Sequence, residues 1–179
     1  INAAGQACLA AVGGSYDFTH ATINNNWNST KQFAVSLSNY QENADQSFTY
    51  VPLTHAEFKN SIIYSQNAIG LLLDIASDHP EIAFESNFQH CLIKFRDAST
   101  ALATNENYNF IRLEQNGNIK NSDPNFFDPD TNQLNIDHTS GAFQKGNLLY
   151  LIGFDIRGTA RSTSTNPDMG AYIAADFPN

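Results

Sequence analysis

One six-residue phrase occurs three times in the chain, as Phe18-Thr19-His20-Ala21-Thr22-Ile23, Phe58-Lys59-Asn60-Ser61-Ile62-Ile63 and Phe88-Gln89-His90-Cys91-Leu92-Ile93. Each copy sets His or Asn two positions after Phe, then a small residue, then Ile two positions further on. Matching residue types in matching order mark stacked units, each burying its apolar face against the next. The spacing is 40 residues from Phe18 to Phe58 and 30 from Phe58 to Phe88. That is too uneven for rigid helical repeats and suits strands joined by loops of variable length. As strands the copies alternate, with Phe18, His20 and Thr22 on one face and Thr19, Ala21 and Ile23 on the other. Ala21, Ser61 and Cys91 then share the Ile face and fill a narrow core. The expectation is an all-β solenoid. The competing arrangement is a sandwich of unrelated amphipathic strands.

The rest of the chain is read around these copies. Ala7-Cys8-Leu9-Ala10-Ala11-Val12 reads as a strand of small side chains, and Gly13-Gly14 as a tight turn. Asn24-Asn25-Asn26 closes the first copy; Asn tolerates left-handed backbone and can form side-chain ladders. Trp27 follows, fit either to cover an edge or to stack on a sugar ring. Asn28-Ser29-Thr30 matches the N-glycosylation triplet. Residues 34–40 alternate as a strand, 41–55 form a polar insertion, 70–75 a buried strand, and Asp78-His79-Pro80-Glu81 a turn. Residues 98–118 make a long polar excursion. One domain is expected in two parts, strands over 1–121 and a last coil with its cap over 122–179.

The net charge of −9, from 9 basic and 18 acidic residues with no basic stripe, argues against nucleic acid and anionic membrane surfaces as partners. No run approaches the ~18–20 apolar residues of a membrane-spanning helix. No signal peptide is visible, and Ile1 falls inside a pattern, so a longer parent chain is expected. Cys8 and Cys91 lack metal-ligand spacing; Cys91 reads as a buried small side chain, and a bond to Cys8 would need adjacent strands.

The C-terminal third carries Asp123-Pro124-Asn125-Phe126, Ser140-Gly141-Ala142, the Asp155/Gly158/Arg161 spacing and Asp168-Met169-Gly170-Ala171-Tyr172. These steps resemble the ending of right-handed parallel β-helix proteins from bacterial surfaces, of the pectate-lyase-like, Bacteroidetes type. The middle of Ser140-Gly141-Ala142 departs from that pattern, where Pro is expected. The resemblance covers nearly the whole chain. It implies a right-handed parallel β-helix, a single-stranded solenoid with an irregular C-terminal cap. It also implies an extracellular or cell-surface location, anchored to the outer membrane through an N-terminal part missing here. It is weak for activity, because the fold hosts many functions.

Candidate sites follow from residue types. Lyases of acidic polysaccharides need clustered carboxylates for calcium and a basic residue for the α-proton, and hydrolases need paired carboxylates. Neither grammar is evident, and no catalytic residue is assigned. Asp123, Asp128 and Asp130 form an acidic loop that makes calcium the one cofactor to consider. His20 and His90 hold one slot in two copies, as a metal or acid–base pair or, since Asn60 stands between them, as a polar ladder. Trp27, Tyr40, Tyr50 and Tyr64 are candidate stacking platforms. Asp155, Arg157, Arg161 and Asp168 are expected to pair and lock the cap. Two functions compete. One is a non-catalytic surface scaffold, adhesin or accessory subunit of an outer-membrane protein assembly. The other is a module that binds or degrades a surface glycan, with catalytic coils outside this chain.

Overall fold

The structure, a computed structural model, describes residues 1–2, 7–27 and 32–177. The Asn28-Ser29-Thr30 triplet lies outside them. The first eleven strands are β1 (Ala7–Val12), β2 (Gly14–Thr19), β3 (Thr22–Asn25), β4 (Phe33–Ser38), β5 (Tyr40–Glu42), β6 (Phe48–Tyr50), β7 (Leu53–Lys59), β8 (Ile62–Ser65), β9 (Leu71–Asp74), β10 (Phe84–Gln89) and β11 (Leu92–Ile93). A helical turn α1 (Asn109–Arg112) lies between β11 and β12 (Ile119–Lys120), and β13 (Phe126–Asp128) and β14 (Gln133–Ile136) follow.

Three sheets are parallel, in the orders β1-β4-β9, β10-β7-β2 and β12-β11-β8-β3. Two are antiparallel pairs, β5-β6 and β13-β14. The expectation of a right-handed parallel β-helix, one continuous solenoid, is corrected by this arrangement. Among the described residues the strands divide among short separate sheets of 2–4 strands, and no sheet there is closed or curled into a helix. Two features of the sequence explain the difference. The segment expected as an insertion over 41–55 is not an open loop, since residues 40–50 form the β5-β6 hairpin and 53–55 begin β7, and residues 122–177 hold a second hairpin followed by irregular turns.

The repeated phrases do stack in register, Phe18 opposite Phe58 and Phe58 opposite Phe88, with Ile23 opposite Ile63 and Ile63 opposite Ile93. Their expected alternation is broken in the middle. His20, Asn60 and His90 each have positive φ, 53°, 47° and 50°, so each phrase is two short strands meeting at a corner. The corner resets which side faces inward, and Phe and Ile both point to the core. Phe58 and Ile63 are 0% exposed. The Phe18, Phe58, Phe88 and Phe110 rings form one column, with centroids 4.9, 4.9 and 5.0 Å apart and planes within 13° of parallel. Cys91 is buried and free, and burial pushes its thiol up to about 12. Cys8 is also free.

Buried Asn side chains satisfy backbone groups at the corners. Asn118 Nδ2 donates to Phe88 O at 2.8 Å while its Oδ1 accepts from Cys91 N at 2.9 Å. The Asn24-Asn25 pair faces Tyr64 and Ser65 on one side, while on the other Asn24 bridges Asn2 and donates through Nδ2 to Asn2 Oδ1 at 2.7 Å. The segment 98–121 closes one end of the stack. Phe110 covers Phe88, and the buried Tyr108 stacks on Phe95 at 4.8 Å and accepts from Leu73 N at 2.8 Å. Residues 140–174 run along the corners of the three phrases. Asn147 meets both Asn60 and His90, and Ala171 N donates to Thr22 Oγ1 at 2.9 Å. Gly170 sits tight against the first two copies. An added Cβ there would lie 2.6 Å from Thr22 Oγ1, and its φ is +89°.

Candidate functional site

Strand alternation decides what the sheet of β2, β7 and β10 shows to solvent. Ala56 and Phe58 of β7 turn inward, so His55, Glu57 and Lys59 turn outward. Parallel pairing sets Asp17 of β2 directly opposite Glu57. His55 Nε2 then lies 3.2 Å from Asp17 Oδ1 and 3.7 Å from Glu57 Oε2. One ligand atom from each of the three residues lies within 4.8 Å of the others. Asn87 and Gln89 of β10 donate to Glu57 Oε1 at 3.1 and 3.3 Å. Lys59 Nζ contacts Glu57 Oε2, and this bond raises the lysine pKa. An imidazole nitrogen with two carboxylates is a donor set that divalent transition metals accept.

A second feature lies at the end of the stack opposite Phe110. There β1 and β2 are the outer strands of their sheets. On the side away from β8, β3 is bordered among the described residues by Ile1 and Asn2, through Asn24 N to Ile1 O at 3.0 Å and the Asn2–Asn24 bridge. A cleft of about 350 Å³ runs between the first phrase and residues 152–171. Its outer rim carries Ile152, Phe154 and Ile156, which are 45%, 63% and 69% exposed. At its base His20 is 6% exposed and holds Asn60 Nδ2 at 3.1 Å through Nε2, while its Nδ1 has no partner. Burial, reinforced by the nearby Arg161 charge, lowers the His20 pKa to about 4, so the ring is neutral at pH 7. Arg161, also 6% exposed, donates to Gly170 O at 2.9 Å and to Asp168 O at 3.5 Å, and its Nε is unpartnered.

The residues singled out from the sequence are dispersed. His20 and His90 are separated along the corners by Asn60 and Asn147: His90 Nε2 is 3.0 Å from Asn147 Nδ2, and Asn60 Oδ1 accepts from Asn147 N at 2.7 Å. Trp27 is 57% exposed. Tyr40 donates to Asp74 Oδ1 at 2.7 Å, a bond that pushes its pKa up to about 12, and it lines a hollow with Phe48, Tyr50 and His79. Tyr64 lines a different hollow beside Lys94, whose Nζ donates to its hydroxyl at 3.2 Å.

Asp123, Asp128 and Asp130 each serve a separate donor: the nearby Asn125 N at 2.9 Å and Thr131 N at 3.3 Å, and the distant Asn26 Nδ2 at 2.5 Å. The cap residues act mainly through backbone groups. Asp168 accepts from Gln144 N at 2.7 Å and Ala174 N at 2.8 Å. Asp155 accepts from the N–H groups of Arg157, Thr159 and Ile173 at 2.9, 2.8 and 3.2 Å. Arg157 lies over the Tyr172 ring at 5.1 Å.

Sequence reasoning passed over Asp17, His55 and Glu57. The signal was present, because aligning Phe18 with Phe58 sets the residues just before them, Asp17 and Glu57, side by side.

No family model, curated protein or solved structure matches the chain. The expected carbohydrate-binding and outer-membrane roles are corrected together with the solenoid. Of the aromatics expected as sugar platforms, Tyr40 and Tyr50 line one hollow and Tyr64 another, and nothing in the described residues supports carbohydrate binding or an outer-membrane location. No helix among the described residues is long and apolar enough to cross a membrane.

Proposed function

We propose that the chain is a non-catalytic interaction module whose open end accepts an extended polypeptide segment carrying the same Phe-x-[His/Asn]-small-x-Ile phrase. This belongs to the scaffold class of function. The observation that carries it is the overhang. Residues 140–174 follow the phrase corners past the first copy, and the residues that extend furthest, Ile152, Phe154 and Ile156, are apolar and uncovered. Uncovered apolar side chains beside unpaired strands mark a docking position. The periodicity of the stack supplies the chemistry of the occupant. Phe58 has a ring against each face, whereas Phe18 is stacked only on Phe58. An incoming Phe covers the free face of Phe18, an incoming His or Asn meets His20, and main-chain bonds add a strand to the edge of β2. Charge does not oppose this, since β1, β2 and β3 together contain one charged residue, Asp17.

The test uses a labelled synthetic peptide with the sequence of residues 53–65, the natural neighbour of β2 on its other side. Saturable binding by fluorescence anisotropy is expected, weakened by Phe154→Ser in the protein and abolished when the peptide carries Phe58→Asp. Equal binding of the native and Phe58→Asp peptides, or no binding of either, would sink the proposal.

A further inference from the structure

We infer a zinc-class divalent metal site on the outward face of the β2-β7-β10 sheet, with Asp17, His55 and Glu57 as its three protein ligands. Bonds of about 2.0–2.1 Å in tetrahedral geometry set ligand atoms about 3.3 Å apart. The observed separations from His55 Nε2, 3.2 Å to Asp17 Oδ1 and 3.7 Å to Glu57 Oε2, bracket that value. An isolated ion pair needs one carboxylate, but here a single imidazole nitrogen faces two. The backbone fixes the arrangement: His55 and Glu57 are two apart on one strand, and Asp17 is held across by register. Behind them the stacked Phe18 and Phe58 rings immobilise the two strands. The Asn87 and Gln89 amides hold Glu57 from the third strand, the kind of outer-shell support that metal carboxylates have.

The imidazole donor selects zinc-type ions over calcium and magnesium, which prefer oxygen. Lys59 already places a cation against Glu57 Oε2, so the metal replaces one positive charge with another on the same oxygen. Three protein ligands leave the fourth position to water, which reaches it because the Asp17 side chain is 66% exposed.

The experiment is calorimetric titration of metal-free protein with zinc chloride, and with cobalt(II) chloride followed by visible absorption. One zinc per chain is expected, together with the intense d–d bands of four-coordinate cobalt. His55→Ala should weaken zinc binding by more than about a hundredfold, beyond the roughly 10–100-fold that loss of an outer-shell partner costs, and erase those bands. Because the His55 side chain is 44% exposed and points away from the core, the variant should melt like the parent, which separates lost ligation from lost folding. Absence of saturable zinc binding, or wild-type affinity in His55→Ala, overturns the assignment.

Discussion

The two ends of the phenylalanine column are built differently. At one end Phe110 covers Phe88, Tyr108 fills the space behind Phe95, and Arg112 ties the segment down through Asp97 at 2.5 Å and Asn105 O at 2.8 Å. At the other end Phe18 is only partly buried, β1 and β2 are outer strands, and Ile152, Phe154 and Ile156 project beside them. Phe18 and Phe110 are both partly buried and each stacks on one ring, so the ends differ in what surrounds the last ring: a tied-down segment with the buried Tyr108 at one, the cleft and its apolar rim at the other. An end with free strand edges and bare apolar side chains is where association starts.

Denaturation of single variants sharpens this contrast most. Phe58→Ala removes a ring enclosed on both faces and should cost about 4 kcal/mol, whereas Phe18→Ala should cost about 2 kcal/mol. Equal losses in urea would mean that the open end is as well packed as the middle. Phe18→Asp should lower the melting temperature more than Phe18→Ala, because a charge then sits against the column.

The next effect is a pH dependence located at the open end. His20 has a folded-state pKa near 4, below the ordinary 6.5. The unfolded chain therefore binds the proton first as pH falls. The stability contributed by keeping His20 neutral is complete above pH 6.5 and is lost on descent toward pH 4, by roughly 3 kcal/mol at most. The charged groups beside the ring are Arg161, which disfavours the imidazolium, and Asp155, which shares the cleft. His20→Asn, which copies Asn60, should flatten the denaturation midpoint across that window. An unchanged slope would assign the effect elsewhere.

At the closed end, Tyr108→Phe leaves the Leu73 N–H without its acceptor and should cost about 2 kcal/mol in the same assay. The smallest effect belongs to the overhang. Phe154→Ser should change stability by less than about 0.5 kcal/mol, since the ring is 63% exposed, while reducing peptide binding. A large loss of stability there would make Phe154 a packing residue and weaken the docking proposal.

Part of this was legible in the residues alone. The three phrases gave strands at the right places, and aligning them on Phe gave the observed pairing of Phe18, Phe58 and Phe88. Ala7–Val12 reads as a strand and is one, and the excursion over 98–118 is present. The residues could not show that His20, Asn60 and His90 are corners, because any of these types also sits comfortably in a strand. Positive φ there brings Phe and Ile to one core, against the simple period-two reading. The 41–55 segment looked like a loop because the run from Gln41 to Ser47 is almost wholly polar, yet pairing of Tyr40, Gln41 and Glu42 with Tyr50, Thr49 and Phe48 makes residues 40–50 a hairpin.

The sequence by itself determined which segments stack and in what register, because apolar side chains recurring in one order have one alignment that buries them all. Only the tertiary structure decided how the strands divide into separate sheets, which polar residues meet, and which end stays open. Asp17, His55 and Glu57 come together across 40 residues of chain, and the overhang at 152–156 reaches the first phrase across more than a hundred. Such meetings depend on where each segment turns back. A turn is fixed by a few backbone angles whose preference any one residue type expresses only weakly.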